Sequence, residues 1–282
     1  MSSEEPSQRV SPFTFPSGYE LPLGPSPAAA REVRFLLGED MALFDKGMNL
    51  ELRIVIASRA NRYRTHALAA LLGLWSRSFA YRADACSLMV RGGYVSSLPL
   101  LRAACDCIGG QRGLASGELG EFTTWLAAMS QSREHSALDV GLGRYRAGSM
   151  LAADERLGTL YRALTALSMT HFGSTLLQVA SESDLQKISI GFADSSFHLG
   201  WAQLIGGWLL LLVQGQLETA LGAADVFAVS PEAKEELTGL SSEMEKALGK
   251  PDRCRSEELV DGRYVFHNFR GQPGAAPRRL LL

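Results

Sequence analysis

Three basic side chains in the first quarter of the chain have residue types and spacing that suit chemistry on phosphate. Arg59, Arg62 and His66 follow one another at intervals of three and four residues, which places them on one side of a helix. Two guanidinium groups beside an imidazole can bind a phosphate group and transfer a proton. The interpretation we favour is plainer, namely a solvated polar seam along a helix. The same seam contains Arg77, Asp84 and Arg91.

A second polar set lies further along the chain. Arg102 and Asp106 are one helical turn apart, and His171 directly follows a later helical segment. Brought together, the three residues could form a polar pocket between helices that suits a small anionic ligand. The alternative, which we favour from the sequence, is a satisfied buried network that fixes the register of the helices.

No motif for a metal ion or an organic cofactor occurs in the sequence. There is no Walker loop, no dinucleotide-binding glycine pattern after a strand, no H-E-x-x-H, no G-x-S-x-G and no E-x-x-H pair. The four cysteines form no C-x-x-C pair, so we expect reduced thiols. We therefore expect neither a cofactor nor a metal site.

The spacing of Arg59 and His66, with six residues between them, resembles the R-x4–6-H signature of HEPN-type ribonucleases. In that family the motif residues of two subunits cleave RNA without a metal ion. The histidine assists attack by the 2′-hydroxyl group, and the arginine steadies the phosphate. The resemblance implies an alternative function as a HEPN-like, metal-independent ribonuclease, with RNA as its partner and with Arg59, Arg62 and His66 as its catalytic set.

Three short segments around the second polar set form a further pattern. Met89–Tyr94 ends in a Gly-Gly-Tyr turn, Leu100–Asp106 reads Leu-Leu-Arg-x-x-x-Asp, and Leu167–His171 reads Leu-Ser-x-x-His. The pattern is similar to one in a broad group of uncharacterised bacterial all-helical proteins, some of them distantly HEPN-like, which have Glu where this chain has Asp106. The resemblance covers about residues 70–175 and implies a helical fold.

These polar sets need helices to position them, and the helical pattern is strongest from Glu51 to Arg91. This stretch contains no proline and one glycine, Gly73, and it is followed by Gly92 and Gly93. Its apolar residues fall on two sides of a helix, so we predict a long central helix at about 50–91 with neighbours on both sides. Unbroken, that helix would be about 60 Å long. The predicted fold class is therefore an all-α helical bundle around it.

Other elements are predicted by the same pattern rules. A first helix is expected from Ala28 to Phe44, with Gly47 helping to end it, and a long, very apolar helix from Phe197 to Val226. Residues 175–192 fit a small β-hairpin, and a continued helix fits them nearly as well. Tyr264–Phe269 is expected to form one strand.

Composition divides the chain into three parts. Residues 1–27 hold six of the eleven prolines, so we predict an extended N-terminal segment. Residues 28–250 are predicted to form the helical bundle domain. Residues 251–282 read as a polar, arginine-rich C-terminal extension, with a loose tail from Ala275 onward.

Charge and hydrophobicity exclude several classes of partner. The chain is 46% hydrophobic and 21% charged, as ordinary globular proteins are, and its formal net charge of -2 gives no general attraction to nucleic acid or anionic membranes. The apolar stretch Phe197–Val213 contains two polar residues and is shorter than the ~20 residues that span a bilayer, so no membrane span is expected. The first residues lack the basic start and apolar run of a secretory signal, which favours the cytoplasm.

From the sequence we predict a non-catalytic helical interaction or assembly protein. The argument combines the missing catalytic motifs with an excess of apolar surface, above all the Phe197–Val213 helix, which reads as too apolar to face water. We therefore expect the chain to associate with itself as a homo-oligomer, with another protein as a further option. The alternatives are the HEPN-like ribonuclease and a binder of a small anionic ligand in the bundle around Arg102 and His171.

Overall fold

The computed structural model describes a helical bundle with a small sheet at its C-terminal end. The described residues are 27–58, 66–115, 150–170, 172–180, 183 and 195–282, and side chains in the second range are described from Leu71 onward. The helices are α1 (Pro27–Leu36), α2 (Gly38–Ser58), α3 (His66–Val90), α4 (Tyr94–Ala115), α5 (Glu155–Ser168), α6 (Phe172–Val179), α7 (Leu199–Gly222) and α8 (Pro231–Leu248). The strands are β1 (Arg255–Glu258), β2 (Tyr264–Phe269) and β3 (Arg278–Leu281). The all-α prediction is confirmed.

The central element is α7. It packs against α2, α3, α4, α5 and α8, and against the first two strands of the sheet. Within the described residues it is the one helix long and apolar enough to cross a membrane, yet 83% of its most apolar window is buried inside the protein. A helix that is hydrophobic all round suits the core of a bundle. Because the chain itself covers the segment Phe197–Val213, that segment no longer argues for association between copies.

The predicted continuous helix at about 50–91 is wrong. Its first residues belong to α2, which begins at Gly38, and residues 59–65 between α2 and α3 lie outside the described part. Glu51 of α2 and Arg82 of α3 form a direct ion pair although they are 31 positions apart. In one straight helix they would be about 46 Å apart, so the chain reverses direction between them. The sequence did not indicate this reversal, because the apolar pattern continues without interruption from Glu51 to Arg91.

The single first helix expected from Ala28 to Phe44 is also wrong, because α1 ends at Leu36 and α2 begins two residues later. Gly47 does not end a helix but lies inside α2. A Cβ atom at this position would overlap the Val213 side chain of α7. Glycine here therefore allows the backbones of α2 and α7 to approach each other closely.

The turn between α3 and α4 follows the prediction. Gly92 has a φ of +79° there, in the left-handed region that favours glycine. A Cβ atom on Gly92 would also overlap the backbone of Ser195. The two glycines that stop α3 therefore bring α4 back antiparallel along it, and Ser97 of α4 donates a hydrogen bond to the Ala85 carbonyl of α3 at 3.1 Å.

The small sheet lies in a different place from the predicted hairpin. Residues 172–179 are helical, so the first arm of the hairpin expected at 175–192 is wrong, and most of the remainder lies outside the described residues. The strand Tyr264–Phe269 is confirmed as β2, the middle strand of an antiparallel sheet of order β1-β2-β3. The predicted loose tail from Ala275 is wrong, since Arg278–Leu281 forms β3, with Leu280 opposite Phe266.

Candidate functional site

The candidate site lies where α5 packs against α4. Arg102 of α4 donates from Nε to Thr165 Oγ1 at 3.2 Å and from Nη2 to Tyr161 Oη at 3.3 Å. Its guanidinium carbon also lies 5.6 Å from the centre of the Tyr161 ring, a cation–π distance. Tyr161 and Thr165 are four residues apart, so one side of α5 presents both hydroxyl groups to Arg102.

A second contact between the same helices fixes their relative position. Arg112, near the end of α4, donates from Nη1 to Asp154 Oδ2 at 3.0 Å. Asp154 is the N-cap of α5 and accepts from the backbone N–H of Leu157 at 3.0 Å. Because Arg112 meets the start of α5 and Arg102 meets its middle, the two helices run antiparallel. The N-cap thus sets where Tyr161 and Thr165 fall along α4.

The charge of Arg102 is favoured by its surroundings. The hydrogen bond to Tyr161 raises the pKa of Arg102, partial burial lowers it, and the negative charge of Asp106 raises it further, so that the net change is upward. The side chain is half-buried. The site therefore presents a permanent positive charge that is partly shielded from water.

The predicted partners of Arg102 are only partly in place. Asp106 lies one turn along α4 and is half-buried, but no ion pair joins it to Arg102 in the described part of the chain. His171 lies outside the described residues, so the predicted three-residue network stays a prediction. Tyr161 and Thr165 were missed by the sequence analysis, because their polar spacing on α5 does not indicate which helix they face.

The other well-buried arginines have carboxylate partners. The described residues include four such ion pairs: Arg82 with Glu51, Arg253 with Asp40, Arg112 with Asp154 and Arg270 with Asp252. The Arg82 side chain is fully buried. The exposed Arg77 likewise has a tyrosine hydroxyl and ring as its partners, those of Tyr81. Arg102 differs from Arg77 in being half-buried, and from the arginines above in having no direct carboxylate partner among the described residues.

The Arg59, Arg62 and His66 set cannot be assembled from the described residues. Arg59 and Arg62 lie outside them, and His66 is the first residue of α3, whose side chain is likewise outside the description. Further along the predicted seam, Arg77 and Asp84 are exposed, and Arg77 Nη2 donates to Tyr81 Oη at 2.9 Å. The catalytic and the solvated interpretations of the set both stay predictions.

The cysteines lie in the core as free thiols. Burial raises the pKa of Cys86 and that of Cys254 to about 12, and burial raises the pKa of Cys105 as well. Thiols with such pKa values stay protonated and unreactive at neutral pH. The described residues contain no group of three or more His, Cys, Asp or Glu side chains that could hold a metal ion.

Comparison with known proteins gives no relative from which a role could be transferred. No family model matches the chain, no curated protein matches it, and no solved structure matches it. Support for a function therefore comes from the site itself.

Proposed function

We propose that this chain binds a small anionic ligand at a site formed by Arg102, Tyr161 and Thr165. The observation that supports the proposal is the half-buried guanidinium of Arg102, whose described hydrogen-bond partners are neutral hydroxyl groups. A carboxylate or phosphate oxygen is the natural counter-ion for such a group.

The three side chains offer complementary donors to an anion. Each hydroxyl oxygen that accepts a hydrogen bond from Arg102 still carries its own hydrogen, which it can donate onward. The Nη1 group of Arg102 makes no hydrogen bond to another described residue and can donate to the ligand as well. One anionic group could therefore receive charge-assisted and neutral hydrogen bonds together, in surroundings less polar than water.

Calorimetric titration with acetate, butyrate and inorganic phosphate tests the proposal. We expect saturable binding of at least one of these anions to the wild type, and binding at least tenfold weaker in Arg102→Gln. Arg162→Gln is the matched control, because Arg162 is an exposed arginine of α5 that is paired with Glu258. No binding in the wild type, or equal binding in Arg102→Gln, would overturn the proposal.

A second candidate function is assembly with further copies of the same chain. Three large apolar side chains are exposed at the junction of α5 and α6: Met169 (62%) at the C-cap of α5, and Phe172 (79%) and Leu176 (43%), which are one turn apart on α6. Three side chains cannot supply the roughly 800 Å² per partner of a stable interface, so we expect a weak dimer. Sedimentation velocity over a range of concentrations should show self-association that Phe172→Glu removes. A sedimentation coefficient that stays at the value of a monomer at all concentrations would contradict self-association.

The metal-independent ribonuclease remains the alternative that the Arg59 and His66 spacing implies. Its residues lie largely outside the described part, so its support is the sequence resemblance alone. It is tested by measuring cleavage of single-stranded RNA in the presence of EDTA, an assay that does not depend on the Arg102 site.

A further inference from the structure

We propose that the ligand bound beside Arg102 is a small zwitterion resembling an amino acid, whose anionic group contacts Arg102 and whose ammonium group contacts Asp106. This inference rests on the proposed function, because it adds a second contact to the same bound anion. It assigns Asp106 a role in selecting the ligand.

The positions of the two residues support a bridging ligand. Asp106 follows Arg102 by one turn of α4, so their Cβ atoms lie about 5–6 Å apart on one side of the helix. Both side chains are half-buried. A molecule with an anionic group and an ammonium group only a few bonds apart can therefore contact Arg102 and the Asp106 carboxylate at the same time.

The contacts of Arg102 direct its guanidinium group toward α5 and not into an ion pair with Asp106. Its Nε and Nη2 groups point to Thr165 and Tyr161 on α5, and its cationic plane lies over the Tyr161 ring. The arginine-before-aspartate order at this spacing is also the less favourable one for a helical ion pair. The result is a positive and a negative charge on adjacent turns that attract each other without a direct ion pair among the described contacts.

The Asp106 carboxylate lacks a described partner that would account for its partial burial. Among the described residues it makes no hydrogen bond or direct ion pair, and its attraction to Arg102 acts over a longer distance. A positively charged group supplied by the ligand would give this partly buried carboxylate a direct partner.

Asp106 also discriminates between classes of anion. A dianion such as phosphate placed at Arg102 is repelled by the nearby carboxylate, whereas a zwitterion is attracted at both ends. Specificity then comes from one attractive and one repulsive contact in the same site. We expect carboxylates with an amino group to be preferred over the same carboxylates without one.

Matched pairs of probes test this directly by calorimetric titration. Glycine is compared with acetate, β-alanine with propionate, and 4-aminobutyrate with butyrate. In each pair the carboxylate is kept while the ammonium group is added at a different distance. In the wild type, at least one amino member should bind about tenfold more tightly than its partner. Asp106→Asn, which keeps the shape of the side chain, should abolish that preference.

The outcomes separate this inference from the proposed function. If simple carboxylates bind in an Arg102-dependent manner and no amino member binds more tightly, the zwitterion is wrong and the anion site stands. A preference that persists unchanged in Asp106→Asn also overturns the role of Asp106. If none of the six probes binds, the zwitterion is wrong, and the anion site stands only if inorganic phosphate binds in an Arg102-dependent manner. Should Asp106→Asn fail to fold, as judged by circular dichroism, the wild-type comparison of matched pairs decides alone.

Discussion

Arg82 on α3 and Glu51 on α2 form a two-pronged ion pair in which both side chains are 0% exposed. Arg82 Nη2 donates to Glu51 Oε2 at 2.7 Å, and Nη1 donates to Oε1. Trp75 Nε1 donates to the same Oε2 at 2.6 Å, while Arg82 Nε donates to the Ser78 carbonyl at 3.1 Å. Both carboxylate oxygens and three donor groups of the arginine are thus engaged. The pair ties α2 to α3 across the reversal of the chain.

Removal of one member of this pair should destabilise the fold strongly. We expect Arg82→Ala to lower the free energy of unfolding by about 3–5 kcal/mol, because Glu51 would be left as a buried charge without its partner. Urea denaturation followed by tryptophan fluorescence and circular dichroism measures the change. Replacing both residues, by Glu51→Gln together with Arg82→Met, should cost less than Arg82→Ala alone.

A matched exposed pair provides the control for that experiment. Arg162→Ala breaks the contact of Arg162 with Glu258, whose side chains are 50% and 23% exposed, and should cost less than about 1 kcal/mol. An Arg82→Ala variant as stable as Arg162→Ala would show that the buried pair does not hold α2 and α3 together.

The N-cap of α5 should make stability depend on pH on the acid side. Burial raises the pKa of Asp154, but the hydrogen bond from Leu157 and the charge and hydrogen bond of Arg112 outweigh it, and the pKa is lowered overall. A carboxyl group with a lowered folded-state pKa stabilises the protein above its unfolded pKa of about 4, and this stabilisation is lost as the pH falls through the folded-state pKa.

Asp154→Asn isolates that contribution, because asparagine also caps helices but carries no charge. We expect the stability advantage of the wild type over Asp154→Asn to be largest near pH 6 and to shrink as the pH is lowered toward about 3. Urea unfolding of both proteins at several pH values measures it. An advantage that stays constant over this range would contradict the assigned ion pair with Arg112.

Substitution by alanine should change the free energy of unfolding in opposite directions at two helical glycines, Gly47 and Gly73. Gly47→Ala places a Cβ atom against Val213 and should lower the free energy of unfolding by about 1–3 kcal/mol. Gly73→Ala meets nothing within 4 Å and should raise stability by about 0.5–1 kcal/mol, because alanine favours the helix. Thermal and urea unfolding compare them. A Gly47→Ala protein as stable as Gly73→Ala would disprove the close approach of α2 and α7.

The ribonuclease alternative is tested with single-stranded RNA in the presence of EDTA. We expect the wild type to show no cleavage. If cleavage occurs and His66→Ala abolishes it while the thermal midpoint stays almost unchanged, the alternative is supported, since one acid–base group typically contributes ~10²–10⁴-fold. His267→Ala is the control for loss of a histidine elsewhere, because His267 lies on β2 and contacts Glu257 at 2.6 Å.

Local patterns predicted the helical fold because the apolar spacing within each helix is a property of neighbouring residues. They could not show that the chain reverses between Glu51 and Arg82, since the pattern runs through the reversal unchanged. Residues 175–179 fit a helix nearly as well as a strand because they are few and rich in Thr, Leu and Val, and in the structure they belong to α6. The short β3 carries too little pattern to be found without its partner β2.

For the candidate site, the sequence indicated the charged residues of α4 but not their partners on α5. Arg102 and Asp106 stood out because charged residues one turn apart are visible in the sequence. Their expected ion pair is not among the described contacts, since Tyr161 and Thr165 engage the arginine instead. Which helix faces which is set by long-range contacts such as that of Arg112 with Asp154, and a helix-by-helix pattern holds no information about them.

The central position of α7 has a consequence for synthesis of the chain. The sides of α2, α3 and α4 that face α7 cannot be covered until the ribosome has made residues 199–222, well over a hundred residues after α2. The bundle therefore depends on contacts of high sequence separation, which slow folding. Until α7 emerges from the ribosome, the apolar sides of α2, α3 and α4 that later pack against it stay exposed. We expect chaperones that bind exposed apolar surface to bind the nascent chain during this time.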